Sequence, residues 1–113
     1  MKTNPNYIKV LLDKNAIIVE FHCTLRDVNI NSDDVLGKNW FDTFIDATDK
    51  EEVFKKFTEL LDEDIKGITT HVNDILVCNS QHRFIHFTNE VITVNNEKYI
   101  SSFGVENMDI LRY

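Results

Sequence analysis

Residues 33–45, with the sequence DDVLGKNWFDTFI, constrain the fold of this chain more than any other segment. Within this segment, large apolar side chains flank Gly37: Leu36, Trp40, Phe41 and Phe44. Ser32 predicts the N-cap of a one-turn helix with an acidic first turn, and Gly37 predicts the left-handed residue that follows it. Residues 38–45 predict a second short helix. Because helices this short are unstable alone, their apolar side chains need another layer to pack against.

Segments rich in β-branched and aromatic residues supply that layer. They predict five strands, at residues 7–12, 17–22, 69–78, 83–94 and 98–105. The turn-forming residues 13–15, 79–80 and 95–96 connect neighbouring strands as hairpins. In the second strand, alternation places Ile17, Val19 and Phe21 on one face.

One longer helix is predicted between these strands. Thr48 and Glu51 have the spacing of a capping box, so Thr48 is the expected N-cap, and Gly67 is the expected end. Apolar residues then recur on one stripe: Val53, Phe54, Phe57, Leu60, Leu61 and Ile65. This stripe predicts a helix that packs on the sheet.

The predicted fold class is α+β: a five-stranded antiparallel sheet with short helices and one longer helix on one face. The 113 residues have the length of one domain, 1–113, with a core over residues 7–106. Residues 107–113 contain Met108, Ile110 and Leu111 and are expected to begin a linker to an output domain.

The acidic composition excludes several classes of partner. A net charge of −7 argues against binding to nucleic acid or to an anionic membrane surface. No apolar run has the length of a membrane span, and no signal peptide opens the chain, so we expect a cytoplasmic location. Cys23 and Cys78 have no CxxC spacing and are expected to be reduced thiols.

Three motifs resemble the PAS family of signalling domains. Residues 35–41, VLGKNWF, resemble the middle of a PAS domain, and residues 83–89, RFIHFTN, resemble its fourth strand with Phe87 in place of a Trp. Asn73 matches an Asn of the third strand. Residues 104–106, GVE, stand where the family has Gly-x-Asp, so that terminal motif is weakened.

The resemblance implies a regulatory module of a bacterial signalling protein, as found before cyclic-dinucleotide synthases or histidine kinases. Such a module binds a small ligand or partner and passes a conformational change through its C-terminal segment. The alternative is a constitutive homodimerisation module with a filled core and no ligand. The chain contains no nucleophile elbow, phosphate loop or zinc-protease motif, so no enzymatic activity is expected.

The cofactor of the module is not identified by sequence, but two are disfavoured. PAS flavin photosensors carry the run NCRFLQ, which is absent here, and Cys23 leads into a different sequence. Haem-binding PAS domains carry an axial His on the long helix, and residues 50–66 contain none. The four histidines lack further ligands at metal-binding spacing, so no metal site is expected.

The candidate pocket is the inner face of the sheet together with the aromatic residues of the helices. Its candidate residues are Phe21, Leu25, Trp40, Phe44, Phe57, Asn73, Phe87 and Asn89. A buried amide must be hydrogen-bonded, so Asn73 and Asn89 either serve the protein itself or orient a ligand. Both interpretations remain open. The aromatic residues either wall a pocket or fill the core.

The opposite face of the sheet predicts self-association. Phe84, His86, Ile92 and Val94 alternate onto the face opposite Phe87. Because an exposed apolar face of this kind marks an interface, we expect a homodimer through this face or through the chain ends.

Overall fold

The structure is a computed structural model that describes residues 6–25, 28–62, 68–77 and 81–106, apart from the side chains of 68–74 and 81. Its elements follow in the order β1 (Tyr7–Asp13), β2 (Ile18–Cys23), α1 (Ser32–Val35), α2 (Trp40–Phe44), α3 (Lys50–Asp62), β3 (Ile68–Val77), β4 (Gln81–Val94) and β5 (Glu97–Glu106). The predicted linker 107–113, the turn 79–80, Cys78, Ile65 and Gly67 lie outside the described residues.

The five strands form one antiparallel sheet in the order β2-β1-β5-β4-β3. The last strand therefore lies at the centre, between the first strand and β4. Helices α1, α2 and α3 lie in the described part of the segment between β2 and β3, which are the two edge strands of the sheet. The predicted α+β fold class is confirmed.

The hairpin of β4 and β5 turns at Asn95 and Asn96, as predicted. Both residues have positive φ, 52° and 67°, which is the backbone of a type I′ turn. Asparagine adopts this region more readily than most residues, and the turn's twist matches that of the strands. The turn fixes the register of a pairing that continues from Val94↔Glu97 to Ile85↔Glu106.

The predicted alternation of β2 is wrong at its beginning. The register with β1 shifts between Leu11 and Leu12, so Ile18 is 1% exposed and Val19 is 39% exposed. A β-bulge adds one residue to a strand and reverses the faces beyond it. Ile17 lies before the strand and forms an isolated bridge with Asn39 instead.

The two short helices do not begin at the predicted residues: α1 begins one residue earlier, at Ser32, and α2 begins two residues later, at Trp40. Asn31 is the N-cap of α1, in place of Ser32, and its side chain accepts a hydrogen bond from the Asp33 N–H. Asn39 caps α2 and accepts from two backbone N–H groups. Gly37 has φ 85°, which confirms its predicted left-handed role after α1.

The predicted capping box of α3 is also wrong. The helix begins at Lys50, and its first helical hydrogen bond runs from the Val53 N–H to the Asp49 carbonyl. Thr48 lies in the preceding turn, where its backbone N–H donates to Asp46 Oδ1. The short turn that follows α2 displaces the helix start, and a capping-box pattern does not detect such a turn.

The stripe of α3 packs partly on the sheet and partly on α2. Phe57 is buried, and Val53, Leu60 and Leu61 are partly buried against the core. Phe54 is predicted on the same stripe but is 42% exposed, and one face of its ring stacks on Phe41 of α2 at 5.3 Å between ring centroids. Lys98 Nζ donates to the Leu61 carbonyl at 2.9 Å and so ties the end of α3 to β5.

We predict that Asn39→Ala lowers the free energy of unfolding by about 1 kcal/mol, because it removes the acceptor for two N–H groups of α2. Thr48→Ala is the matched control and should change it by no more than a few tenths of a kcal/mol. Denaturant unfolding of both variants tests this. A larger loss from Thr48→Ala than from Asn39→Ala would contradict the observed caps.

Candidate functional site

A cavity of about 50 Å³ lies between the helices and the inner face of the sheet. Helices α2 and α3 and strands β1, β4 and β5 line it with Leu12, Trp40, Phe41, Val53, Lys56, Phe57, Leu60, Phe87, Asn89, Ile100 and Ser102. Most of these side chains are apolar. The exceptions are an amide, a hydroxyl and an ammonium group, which determine what the cavity can bind.

The amide and the hydroxyl form a buried pair across two strands. Asn89 of β4 is directly opposite Ser102 of β5, and the two residues are 9% and 5% exposed. The Ser102 hydroxyl donates to Asn89 Oδ1 with an oxygen–oxygen distance of 2.6 Å. That distance is typical of an O–H···O bond and is short for an N–H···O bond, which supports this orientation of the amide.

This pair leaves hydrogen-bonding capacity unused. Among the residues whose side chains the structure describes, none accepts a hydrogen bond from Asn89 Nδ2. The Ser102 hydroxyl has used its one proton, but its oxygen retains an acceptor site. A buried donor without a partner is costly, so an N–H₂ group at a cavity is a position where a bound molecule gains a hydrogen bond.

Aromatic rings form the wall beside this pair. Trp40 meets Phe87 edge-on, at 5.9 Å between ring centroids and an interplanar angle of 90°. Phe87 packs over Gly104 of β5, where an added Cβ would lie 2.7 Å from Cε1 of the ring. Glycine at this position therefore allows the ring to lie close to the sheet.

Helix α3 closes the other side of the cavity. Phe57 is buried there and meets Phe41 edge-on at 5.4 Å. Lys56 also lines the cavity, but its side chain is 51% exposed and its Nζ lies 3.8 Å from Glu52 Oε1. The ammonium group is therefore at the solvent side of the site, away from the buried Asn89.

The structure brings together part of the predicted pocket. Trp40, Phe57, Phe87 and Asn89 line the cavity. The other candidates with described side chains are buried but do not line it: Phe21, Leu25 and Phe44. Phe44 lies between Trp40 and Phe21, with ring centroids 4.8 and 5.6 Å away, so Phe44 and Phe21 belong to the core behind the cavity wall.

The predicted role of Asn73 stays a prediction. Its backbone pairs with Ile85 in β3–β4, and its side chain is outside the described part of the molecule. Asn89 lies on the predicted inward face with Ile85 and Phe87, which confirms that expectation of burial.

Ser102, whose hydroxyl completes the polar pair, is not among the residues predicted from the sequence. Alternation along β5 indicates its inward position, because Ser102 lies between Ile100 and Gly104 on the buried face. The type I′ turn at Asn95–Asn96 indicates its partner, because the register of this hairpin places Asn89 opposite Ser102.

In the described residues, no group of three or more His, Cys, Asp or Glu is arranged to hold a metal ion. None of the helices within these ranges combines the length and hydropathy of a membrane span. His22 and His86 lie exposed and away from the cavity.

We predict that Asn89→Leu lowers the free energy of unfolding by about 1–3 kcal/mol, because it leaves the buried Ser102 hydroxyl without its acceptor. Ser102→Ala added to that variant should recover part of the loss, since both polar groups are then gone. A double-mutant cycle from denaturant unfolding measures this coupling. Additive losses would show that the two side chains do not interact.

Comparison with known proteins identifies the fold. No family model and no curated protein matches the sequence. Among solved structures, the PAS domain of the Cronobacter turicensis quorum-sensing receptor RpfR, in complex with BDSF, matches with TM-score 0.76 and 16% identity over 94% of this chain and 98% of that chain. The same domain has also been solved with C12:0.

Two further PAS structures match over most of their length. Drosophila melanogaster Cycle PAS-B with bound ethylene glycol has TM-score 0.71 and 9% identity, over 88% of this chain and 99% of that one. The PAS domain of an HTR-like protein from Haloarcula marismortui has TM-score 0.64 and 11% identity, over 89% and 81%. The resemblance noted in the sequence is thereby confirmed in three dimensions, and the chain has the fold of a PAS domain.

Proposed function

We propose that this chain is a sensory PAS module that binds a small molecule in the cavity between α3 and the sheet. The observation that supports this most directly is the buried Asn89–Ser102 pair, which presents an unused donor to a largely apolar site. The module is non-enzymatic and cytoplasmic in this proposal. It regulates an output domain of a bacterial signal-transduction protein, such as a cyclic-dinucleotide synthase or a histidine kinase.

Two neighbours in fold support a ligand-binding role. The RpfR PAS domain was solved with BDSF and with C12:0, and Cycle PAS-B was solved with ethylene glycol. Those ligands belong to those proteins. What carries over to this chain is that the fold accommodates small molecules of different chemistry.

The proposed signal runs along β5. Ile100 and Ser102 line the cavity, and Glu106 ends the same strand in a bidentate ion pair with Arg83 of β4. The Arg83 and Glu106 side chains are 12% and 7% exposed, so this pair is sensitive to any shift between the two strands. In this proposal, a ligand that favours one position of β5 shifts the equilibrium between two conformations. The change passes to residues 107–113, which follow β5 in the sequence.

We expect a metabolite screen by thermal shift, followed by native mass spectrometry, to find a compound that binds the wild-type protein. At 100 times its dissociation constant it should stabilise the fold by about 2.7 kcal/mol. Leu60→Phe should abolish this shift by filling the cavity that Leu60 lines.

Leu61→Phe is the matched control, because Leu61 is also partly buried on α3 but does not line the cavity. Equal loss of binding in the two variants would place the ligand elsewhere. A screen without any bound compound would favour the constitutive dimerisation module, an alternative supported by the small volume of the cavity.

We also propose that the module forms a homodimer through the outer face of the sheet. Exposed apolar residues gather there, with exposures of 58% for Phe84, 49% for Val94, 43% for Phe103 and 42% for Val105. Tyr7 stacks on Phe103 at 5.3 Å between ring centroids and extends this surface to β1. Burying such a surface against a second copy removes apolar area from water.

We predict that the wild-type protein is dimeric by light scattering at high micromolar concentration, and that Phe103→Lys is monomeric. Phe54→Lys is the control, because Phe54 is equally exposed, at 42%, but lies on α3. A monomeric wild-type protein would count against the proposal. So would a dimer that is lost in the Phe54 variant and kept in the Phe103 variant.

A further inference from the structure

We infer that the cavity selects an uncharged polar group that both accepts and donates a hydrogen bond, best matched by a primary carboxamide on a short apolar body. This inference rests on the proposed ligand-binding function and specifies the chemical class of the ligand. It follows from three features of the site: its hydrogen-bonding groups, its charge and its size.

The buried pair offers one kind of donor and one kind of acceptor. Because the Ser102 hydroxyl proton is committed to Asn89 Oδ1, Ser102 presents only lone pairs to the cavity. Asn89 presents the N–H groups of Nδ2, while its Oδ1 already accepts from Ser102. A carboxamide complements both, since its carbonyl accepts from Nδ2 and its own N–H donates to Ser102 Oγ.

The charges of the site disfavour an anion in the same position. A carboxylate beside this pair would accept from Nδ2 but would face the lone pairs of Ser102 Oγ with no donor to offer. Lys56 is the charged residue among the described lining, and it is half-exposed with Glu52 as its neighbour. Burial of a carboxylate without a charged partner is strongly unfavourable.

The size of the cavity limits the body of the ligand. At about 50 Å³ the cavity is roughly a third of the ~150 Å³ apolar cavity that holds benzene in an engineered protein. It therefore takes a group of a few non-hydrogen atoms. Trp40, Phe87 and Ile100 would contact the alkyl part of such a group.

The test compares propionamide with propionate, which have nearly the same shape and differ in charge and in the donor. Binding is followed by NMR through the indole N–H resonance of Trp40, a residue of the cavity wall. We expect propionamide to bind at least about tenfold more tightly than propionate. In Ser102→Ala, which removes the Ser102 acceptor, the affinity for propionamide should fall and the ratio should decrease, while the unfavourable burial of the carboxylate keeps the ratio above one.

Each other outcome overturns the inference. Propionate binding as tightly as propionamide would show that the site does not select an uncharged group. A shift of the Trp40 resonance with a twelve-carbon fatty acid and not with propionamide would overturn the ligand class but leave the proposed function in place. No shift with any of the three compounds would count against both. The comparison in the wild-type protein decides the matter even where Ser102→Ala fails to fold.

Discussion

The register of the β4–β5 hairpin is the constraint on which the rest of the site depends. The Asn95–Asn96 turn, with both residues at positive φ, fixes that register at one end. It places Asn89 opposite Ser102 and Phe87 opposite Gly104. A slip of one residue would turn each of these side chains to the other face of the sheet and would dismantle the polar pair and the aromatic wall together.

Helices α2 and α3 form the side of the cavity opposite the hairpin. Trp40 of α2 meets Phe87 edge-on, and Phe57 of α3 meets Phe41, so two groups of aromatic rings contribute to the layer over the inner face of the sheet. Lys98 holds the end of α3 against the first residues of β5. Strand β5 therefore lines the cavity on the sheet side, and α3, which is hydrogen-bonded to β5, lines it on the helix side. Such coupling is what a module needs if a bound molecule is to change the position of a strand.

The parts of this fold that follow from local chemistry could be predicted from sequence, and those that depend on tertiary register could not. The Asn95–Asn96 turn and the left-handed Gly37 follow from the conformational preferences of those residues. Thr48 has the spacing of a cap but does not cap α3, because the turn after α2 decides where α3 begins. The face of Ile18 depends on a bulge that alternation does not detect. Asn89 is predicted from its polarity on an apolar face, whereas the role of Ser102 depends on the pairing of β4 with β5.

The proposed function rests on one arrangement, in which the Ser102 hydroxyl occupies Asn89 Oδ1 and the amide N–H₂ group is available to a bound molecule. Side-chain amide resonances of a protein labelled with ¹⁵N-asparagine test it most directly, with the Asn89 pair assigned by its absence in Asn89→Asp. We expect both Asn89 resonances to shift when a compound enters the cavity, in parallel with the shift of the Trp40 indole signal. Asn89 amide resonances that stay unchanged while the Trp40 signal moves would contradict it.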